Sequence, residues 1–458
     1  MESWLCARSS PLQPSSRDEG PRFYQIIFNG QIEDFRNYRR EDRISMAKGD
    51  VIVLGSGLIG SSIAVDFLES SSVSKVTVVD INGERLKALQ MRASKLSGID
   101  SVSGTKAELA EKLQTVELDI VKQKDELLKL FANSELGVGA LPYGIAEEAV
   151  QTALEAGVNF VDLIYSWRYE KSSTIDAKAK QKGITIIPAC GVAPGLTNIL
   201  AKYAADQMED VDSVKIKVGG IPEVPKQPLN YKVVFAIESV LEEYTRDAVV
   251  VRDGKKASLP AMSEVENVTF NEFPEQKFEA FLTDGLSTLP ETLRRVKFME
   301  EKTIRWQGHA DQIRLLMDLG FFSERPVNLK TTGARVSPRA LLSTLLDKKL
   351  AMHQGDKDMT LLRVSVQGRK KKGDRATRIH QYEMVDRFDV ATQSTSMART
   401  TASPCSTVAQ MLLEGRITER GFIPPELAIK DDRFDDFISR LERKGLSIKE
   451  KEFLADTD

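Results

Sequence analysis

Apolar residues along this chain cluster in short unbroken runs, and the segments between them alternate apolar and polar residues with helical spacing. The run Val51-Ile52-Val53-Leu54 predicts a buried strand, and the stretch Ser61–Leu68 after it predicts a helix. Val76–Val79 repeats the strand pattern, and Gly83–Leu96 has an amphipathic helical period. Thr115–Asp119 and Leu136–Pro142 predict a third and fourth strand, followed by a helix over Ile145–Ala156 that Gly157 ends. Asn159–Leu163 and Ile184–Pro188 predict two more strands, separated by a polar helix over Ser172–Lys182. This alternation is the pattern of an α/β doubly wound parallel sheet over residues 46–190. Past Gly191 the pattern changes. Pro194–Asn198 opens a helix, and Ser213–Val218, Ala248–Arg252, Val265–Phe270 and Thr360–Gln367 predict hairpin-like strands, with Asp253-Gly254 as one turn. A second α+β domain of mixed sheet is therefore expected over 191–394. It would bind substrate and mediate oligomerisation. The basic run Gly368–Asp374 is expected to be an exposed hairpin turn. Helical segments from Thr407 to Gly415 and at Pro424-Pro425-Glu426 are expected to complete the first domain over 395–458.

The first strand ends in Gly55-Ser56-Gly57-Leu58-Ile59-Gly60. Gly55 permits the tight turn, Gly57 lets the backbone approach a pyrophosphate, and Gly60 lets the helix pack close to its strand. Asp80 ends the second strand about twenty residues later, placed to accept hydrogen bonds from the adenosine ribose hydroxyls. A carboxylate there repels a 2′-phosphate, so the Rossmann-type domain is expected to take NAD in preference to NADP. Ala140, Leu141 and Pro142 lie at the carboxyl edge of the fourth strand, where such sheets bind ligands.

Composition sets bounds. Lys and Arg total 64 against 67 Asp and Glu, which gives no reason to expect nucleic acid or an anionic membrane as partner. Cys6, Cys190 and Cys405 have no metal-ligand spacing and form no disulfide framework, which suggests a reducing, cytoplasmic setting and no metal. No apolar stretch approaches the roughly twenty residues a bilayer span needs. Residues 1–45 lack sustained apolar periodicity and read as an extension, disordered or an upstream artefact of the reading frame.

Several further motifs carry a resemblance: Ala153-Leu154-x-Ala156-Gly157-x-x-Phe160-Val161-Asp162, Gly191-x-Ala193-Pro194-Gly195-Leu196-x-Asn198 and Thr303-x-Arg305-Trp306-x-Gly308-His309. With the glycine motif and Ala140-Leu141-Pro142, they make the chain resemble the saccharopine dehydrogenase family from Met46 to Phe453, and within it the lysine 6-dehydrogenase branch. The resemblance implies NAD-dependent oxidation of the ε-amine of L-lysine to an imine, then a semialdehyde, with ammonia release by a homo-oligomer. A saccharopine- or carboxynorspermidine-type secondary amine is the alternative substrate, and a catalytically inactive nucleotide-binding regulator is the alternative class.

For an amino-acid amine, Arg305 is the candidate to grip the carboxylate, against a plain salt bridge on a helix. His309, one of three histidines, could move protons or be structural, while His353 and His380 are expected to be inert in charged loops. Asp162, at the end of a strand, could hold the substrate ammonium or a ribose, with Tyr165 nearby. Asp284, Glu243, Tyr231 and Lys232 complete the candidates, Lys232 being equally readable as a solvated strand residue. Cys190 reads as a small buried hydrophobe. Arg168, Arg246 and Arg294 cannot be placed from sequence.

Overall fold

The structure is a computed structural model that describes residues 48–96, 109, 111–164, 169–234, 237–353, 355–370 and 376–455. The extension 1–45, Cys6, Tyr165, Arg168 and most of the basic turn fall outside the described residues. The first sheet is built from β1 (Gly49–Leu54), β2 (Val73–Asp80), β3 (Leu113–Glu117), β4 (Leu136–Gly139), β5 (Asn159–Asp162) and β6 (Thr185–Ile187). Its order is β6-β5-β4-β1-β2-β3, and every pairing is parallel. Order reverses beside β1, and a crevice opens there at the carboxyl ends of the strands. Val51, Ile52, Val53 and Leu54 are fully buried, as a central parallel strand covered on both faces requires.

The second sheet holds β7 (Asp210–Pro222), β8 (Ala248–Arg252), β9 (Lys255–Leu259), β10 (Glu266–Phe270), β11 (Phe273–Leu282) and β12 (Phe298–Trp306). After a small hairpin, β13 (Val327–Asn328) and β14 (Arg335–Val336), come β15 (Asp358–Arg369) and β16 (Arg378–Arg387). β12 runs parallel to β7 and the other pairings are antiparallel, so this sheet is mixed. The β8–β9 hairpin turns at Asp253 and Gly254, both at positive φ (50° and 74°), as a two-residue turn between right-twisted strands demands. β15 and β16 pair antiparallel on either side of the basic run.

The C-terminal segment serves both sheets. A helix over Ser396–Leu413, starting eleven residues before the apolar run that predicted it, packs against the helix Leu58–Glu69. β17 (Gly421–Phe422) then adds beside β6, and β18 (Lys449–Leu454) pairs with β16 at the edge of the second sheet. One hydrophobic cluster runs from Val51 and Val53 through Val214, Ile216 and Val364 to Phe434 and Phe437, so the two sheets share a core. No helix among the described residues is long and apolar enough to cross a membrane.

Two expected placements change. Arg305 lies on β12, not on a helix, and His380 is buried on β16 with Nε2 2.6 Å from Glu450 Oε1 on β18, not in a charged loop. If the terminal helix Asp432–Arg443 closes the shared core, Phe437→Ala leaves a cavity that nothing else fills. It should lower unfolding free energy by about 3–5 kcal/mol in urea melts; a change under about 1 kcal/mol would mean the helix is an appendage.

Candidate active site

A cleft of about 820 Å³ lies between the carboxyl edge of the first sheet and the face of the second. One end is made by Gly55, Gly57, Leu58, Ile59, Gly60, Asp80, Arg85, Asp119, Ala140, Leu141 and Pro142. A Cβ on Gly55 would sit 2.4 Å from the Ala140 carbonyl oxygen, and one on Gly60 would sit 2.0 Å from the Gly55 carbonyl oxygen, so neither position admits a side chain. Gly57, in contrast, faces open space. No side chain caps the helix Leu58–Glu69 and its first turn carries no acid, so its free N–H groups face the cleft with the positive end of the helix dipole. This is a cradle for a pyrophosphate. Ser56 lies behind the wall: its N–H and hydroxyl donate to Asp80 Oδ2 at 2.6 and 2.9 Å, while Asn82 N–H donates to Oδ1 at 2.8 Å. Three bonds thus pin the Asp80 carboxylate at the cleft wall, two on Oδ2 and one on Oδ1, which leaves one lone pair on Oδ1 for a ribose hydroxyl. The residues fit a nicotinamide dinucleotide.

The other end is lined by Glu243, Arg246, Thr283, Asp284, Gly285, Glu301, Thr303 and Arg305. Arg305 is only 2% exposed. Its Nε donates to Tyr244 Oη at 3.0 Å, one terminal nitrogen donates to the Ile304 carbonyl at 2.9 Å, and the other faces Glu243 at 3.3 Å. The rings of Tyr231 and Tyr244 lie 4.8 and 5.7 Å from the guanidinium. The guanidinium is therefore already committed to Glu243. Arg246 makes a more exposed pair with Asp284 at 3.1 Å, beside the Tyr143 ring, and its side chain stays 42% exposed.

Glu301 is 3% exposed, and its Oε2 lies within hydrogen-bond distance of Thr283 Oγ1, at 2.6 Å. Burial pushes its carboxyl well above the usual range; the Thr283 bond opposes this, Glu243 and Asp284 add to it, and Arg305 opposes it. Glu301 escaped the sequence reading, and Thr283 and Thr303 were given no role by it. A two-residue offset along β12, placing Glu301, Thr303 and Arg305 on one face of the strand, was the available signal.

Besides Ser56, four further candidates lie behind the cleft rather than on its wall. His309 is fully buried. The Leu229 carbonyl, 2.7 Å away, can only accept, so Nδ1 carries the hydrogen and Nε2 accepts from Tyr244 Oη at 2.9 Å. Burial and the Arg305 charge push the imidazole down to about 3, so it stays neutral and braces Tyr244, which in turn holds Arg305. Tyr231 is buried against Arg305 and pushed up to about 12 by burial. Lys232 is buried, neither solvated nor facing the cleft: its Nζ donates to Ala351 O at 2.8 Å at the end of the helix Pro338–Leu350. Asp162 is 1% exposed beneath Leu163 and Ile164, which do line the cleft. Its Oδ1 accepts from Ile164 N–H at 3.1 Å and its Oδ2 has no partner. Burial pushes it up to about 8, so near neutrality it is largely an un-ionised acid. Cys190 is buried, and burial pushes its thiol up, as befits a small hydrophobe.

A model of the saccharopine dehydrogenase NADP binding domain matches residues 51–187, and one of the saccharopine dehydrogenase C-terminal domain matches 191–446. The chain belongs to the saccharopine dehydrogenase family. It is 23% identical to the mitochondrial alpha-aminoadipic semialdehyde synthase of Bos taurus over 97% of this chain and 53% of that one, so it spans about half of that relative's length. It is 24% identical to carboxynorspermidine synthase of Vibrio cholerae over 81% and 90% of the two chains. Apo saccharopine dehydrogenase (L-Glu forming) from Saccharomyces cerevisiae shares the fold, with a TM-score of 0.69 at 19% identity over 88% of this chain and 100% of that one.

Asp162 yields a pH prediction. Its folded value lies above its unfolded value, so folding is favoured while the acid is protonated and loses stability as pH rises toward 8. Between pH 5 and 8 wild type should lose on the order of 3 kcal/mol relative to Asp162→Asn, read as a widening Tm gap in ligand-free protein. Parallel pH profiles for the two proteins would show that the carboxyl is ionised in the fold.

Proposed function

We propose that the protein oxidises the primary amine of a cationic amino acid, with L-lysine at its ε-carbon as the leading substrate and NAD as oxidant. The observation that carries this is the charge inventory of the cleft beyond the cradle. Three carboxyl groups, Glu243, Asp284 and Glu301, face two arginines there, and both arginines are already paired. Such a wall favours an amine. Saccharopine carries three carboxylates, whereas this wall offers a single arginine, Arg246, in an exposed pair that a substrate carboxylate could exchange into. The relatives named above, whose names include saccharopine and carboxynorspermidine enzymes, support chemistry at a carbon bearing nitrogen.

A bound nicotinamide supplies the hydride acceptor. The protein's own residues do the rest. Glu243, oriented by Arg305, meets the substrate ammonium, and Arg246 takes the substrate carboxylate, since its side chain is 42% exposed against 2% for Arg305 and its pair is the more easily exchanged. This moves the carboxylate clamp from Arg305, which burial and Glu243 leave saturated. Balance then requires the ammonium to lose one proton and one hydride to give an iminium, and water to release aldehyde and ammonium. NAD is favoured over NADP because Asp80 is pinned by three hydrogen bonds and cannot turn away from a 2′-phosphate.

Initial rates with NAD and NADP against lysine, the carboxylate-free diamine cadaverine, saccharopine and carboxynorspermidine test this reading. Lysine with NAD should be fastest. Arg246→Ala should raise KM for lysine by about tenfold or more while leaving cadaverine little changed, the cost of one charge-assisted ion pair. Asp80→Ala should weaken NAD and narrow its margin over NADP. Preferential turnover of saccharopine or carboxynorspermidine would transfer the function to secondary amines, and dinucleotide binding without turnover of any of the four would indicate a regulator.

A further inference from the structure

Four oxygen-bearing side chains line up along the cleft wall. Thr283 Oγ1 lies 2.6 Å from Glu301 Oε2 and 2.9 Å from Thr303 Oγ1, and Thr303 Oγ1 in turn hydrogen-bonds Glu243 Oε1. The backbone fixes this row. β11 and β12 are paired so that Phe281 faces Thr303, and Thr283 N–H donates to the Glu301 carbonyl at 3.2 Å. Gly285 closes against the Glu301 carboxyl so tightly that a Cβ there would lie 2.6 Å from Glu301 Oε2.

The hydrogens in this row can be counted. Three oxygen–oxygen contacts require three hydrogens, and each threonine hydroxyl brings one. If both glutamates were ionised, both hydroxyls would point outward to the carboxylates. The two threonine oxygens would then face each other at 2.9 Å, lone pair to lone pair. A third hydrogen, carried on a carboxyl, removes the conflict. Glu301–H then donates to Thr283, Thr283 to Thr303, and Thr303 to Glu243, in one direction. Glu243 holds the negative charge because it faces the Arg305 guanidinium, whereas no cation among the described residues bonds Glu301.

We propose that Glu301, Thr283, Thr303 and Glu243 form a proton-conducting chain in the cleft wall that holds one carboxylic proton and passes it between its two ends. Both ends line the cleft. The charged groups acting on Glu301 are Glu243, Asp284 and Arg305, and with burial the balance favours its protonated form.

The catalytic use of the chain rests on the amine reading. In the oxidation, Glu243 takes the proton that the substrate ammonium loses as its carbon gives up hydride. The three hydrogen bonds reverse direction, and Glu301 releases its proton to solvent. In the hydrolysis, Glu301 takes a proton from the attacking water as its oxygen bonds to the iminium carbon. The bonds reverse again, and Glu243 protonates the nitrogen, which leaves as ammonium with the carbinol hydrogen. One proton is released per turnover and the chain returns to its starting state.

Infrared spectroscopy of the ligand-free protein in an Asp162→Asn background, read as the difference against the same background carrying Glu301→Gln so that the other buried acids Glu426, Asp358 and Asp386 cancel, tests the stored proton without any substrate. A protonated-carboxyl C=O band should persist at pH 8, disappear in Glu301→Gln, and shift in Gly285→Ala, where the added methyl displaces the carboxyl. Kinetics then test conduction. Thr283→Val keeps the shape and should lower kcat by about tenfold or more with KM and dinucleotide affinity unchanged, and Thr283→Ser should restore it. Absence of the band, or wild-type kcat in Thr283→Val, overturns the proposal. Failure of the amine reading shows itself separately, as no turnover in a protein that still carries the band.

Discussion

Burying one guanidinium organises the substrate half of this molecule. Arg305 cannot lose its charge, and a bare cation at 2% exposure would cost several kcal/mol, so the chain surrounds it with acceptors: Tyr244, the Ile304 carbonyl and Glu243. Each acceptor has its own support. Tyr244 can turn its oxygen to Arg305 because its hydrogen goes to His309, and His309 can receive it because its other nitrogen is committed to Leu229. Glu243 is held on its far side by Thr303, which leads to Thr283 and Glu301. The positions of Glu243, Tyr244 and His309 follow from that one buried charge.

The cofactor half depends on steric contact. Gly55 and Gly60 bring the first helix against Ala140 with no room for a methyl group, and this leaves an uncapped helix end facing the cleft. Since the two sheets share one core, the cradle and the carboxylate wall are held at a fixed separation by packed side chains. A rigid gap between the two ends of the cleft is what the proposed hydride transfer needs from the protein.

What could be read from the sequence was mostly local. The glycine motif, Asp80 and the strand–helix alternation act through neighbours a few residues apart, so spacing reveals them, and Gly83–Leu96 and Ala248–Arg252 match the structure at both ends. The site was only half legible. Arg305 and Glu243 are 62 residues apart, and Tyr244 and His309 are 65 apart, so nothing in the local pattern says that they touch. His309 attracts attention as a titratable group, yet complete burial pushes its value down to about 3. Lys232 reads as a surface cation until the end of a distant helix covers it. Glu301 was missed because Glu300-Glu301-Lys302 reads as a solvated charged run, although all three are buried on a central strand of the second sheet.

The central claim is that the cleft transfers hydride from a carbon bearing nitrogen to a nicotinamide dinucleotide. Lysine carrying deuterium at the ε-carbon tests it directly, with the reduced dinucleotide analysed by mass spectrometry. The account predicts a reduced nicotinamide carrying deuterium from that carbon. Reduced dinucleotide that forms without label from this substrate would place the chemistry at another carbon and contradict the account.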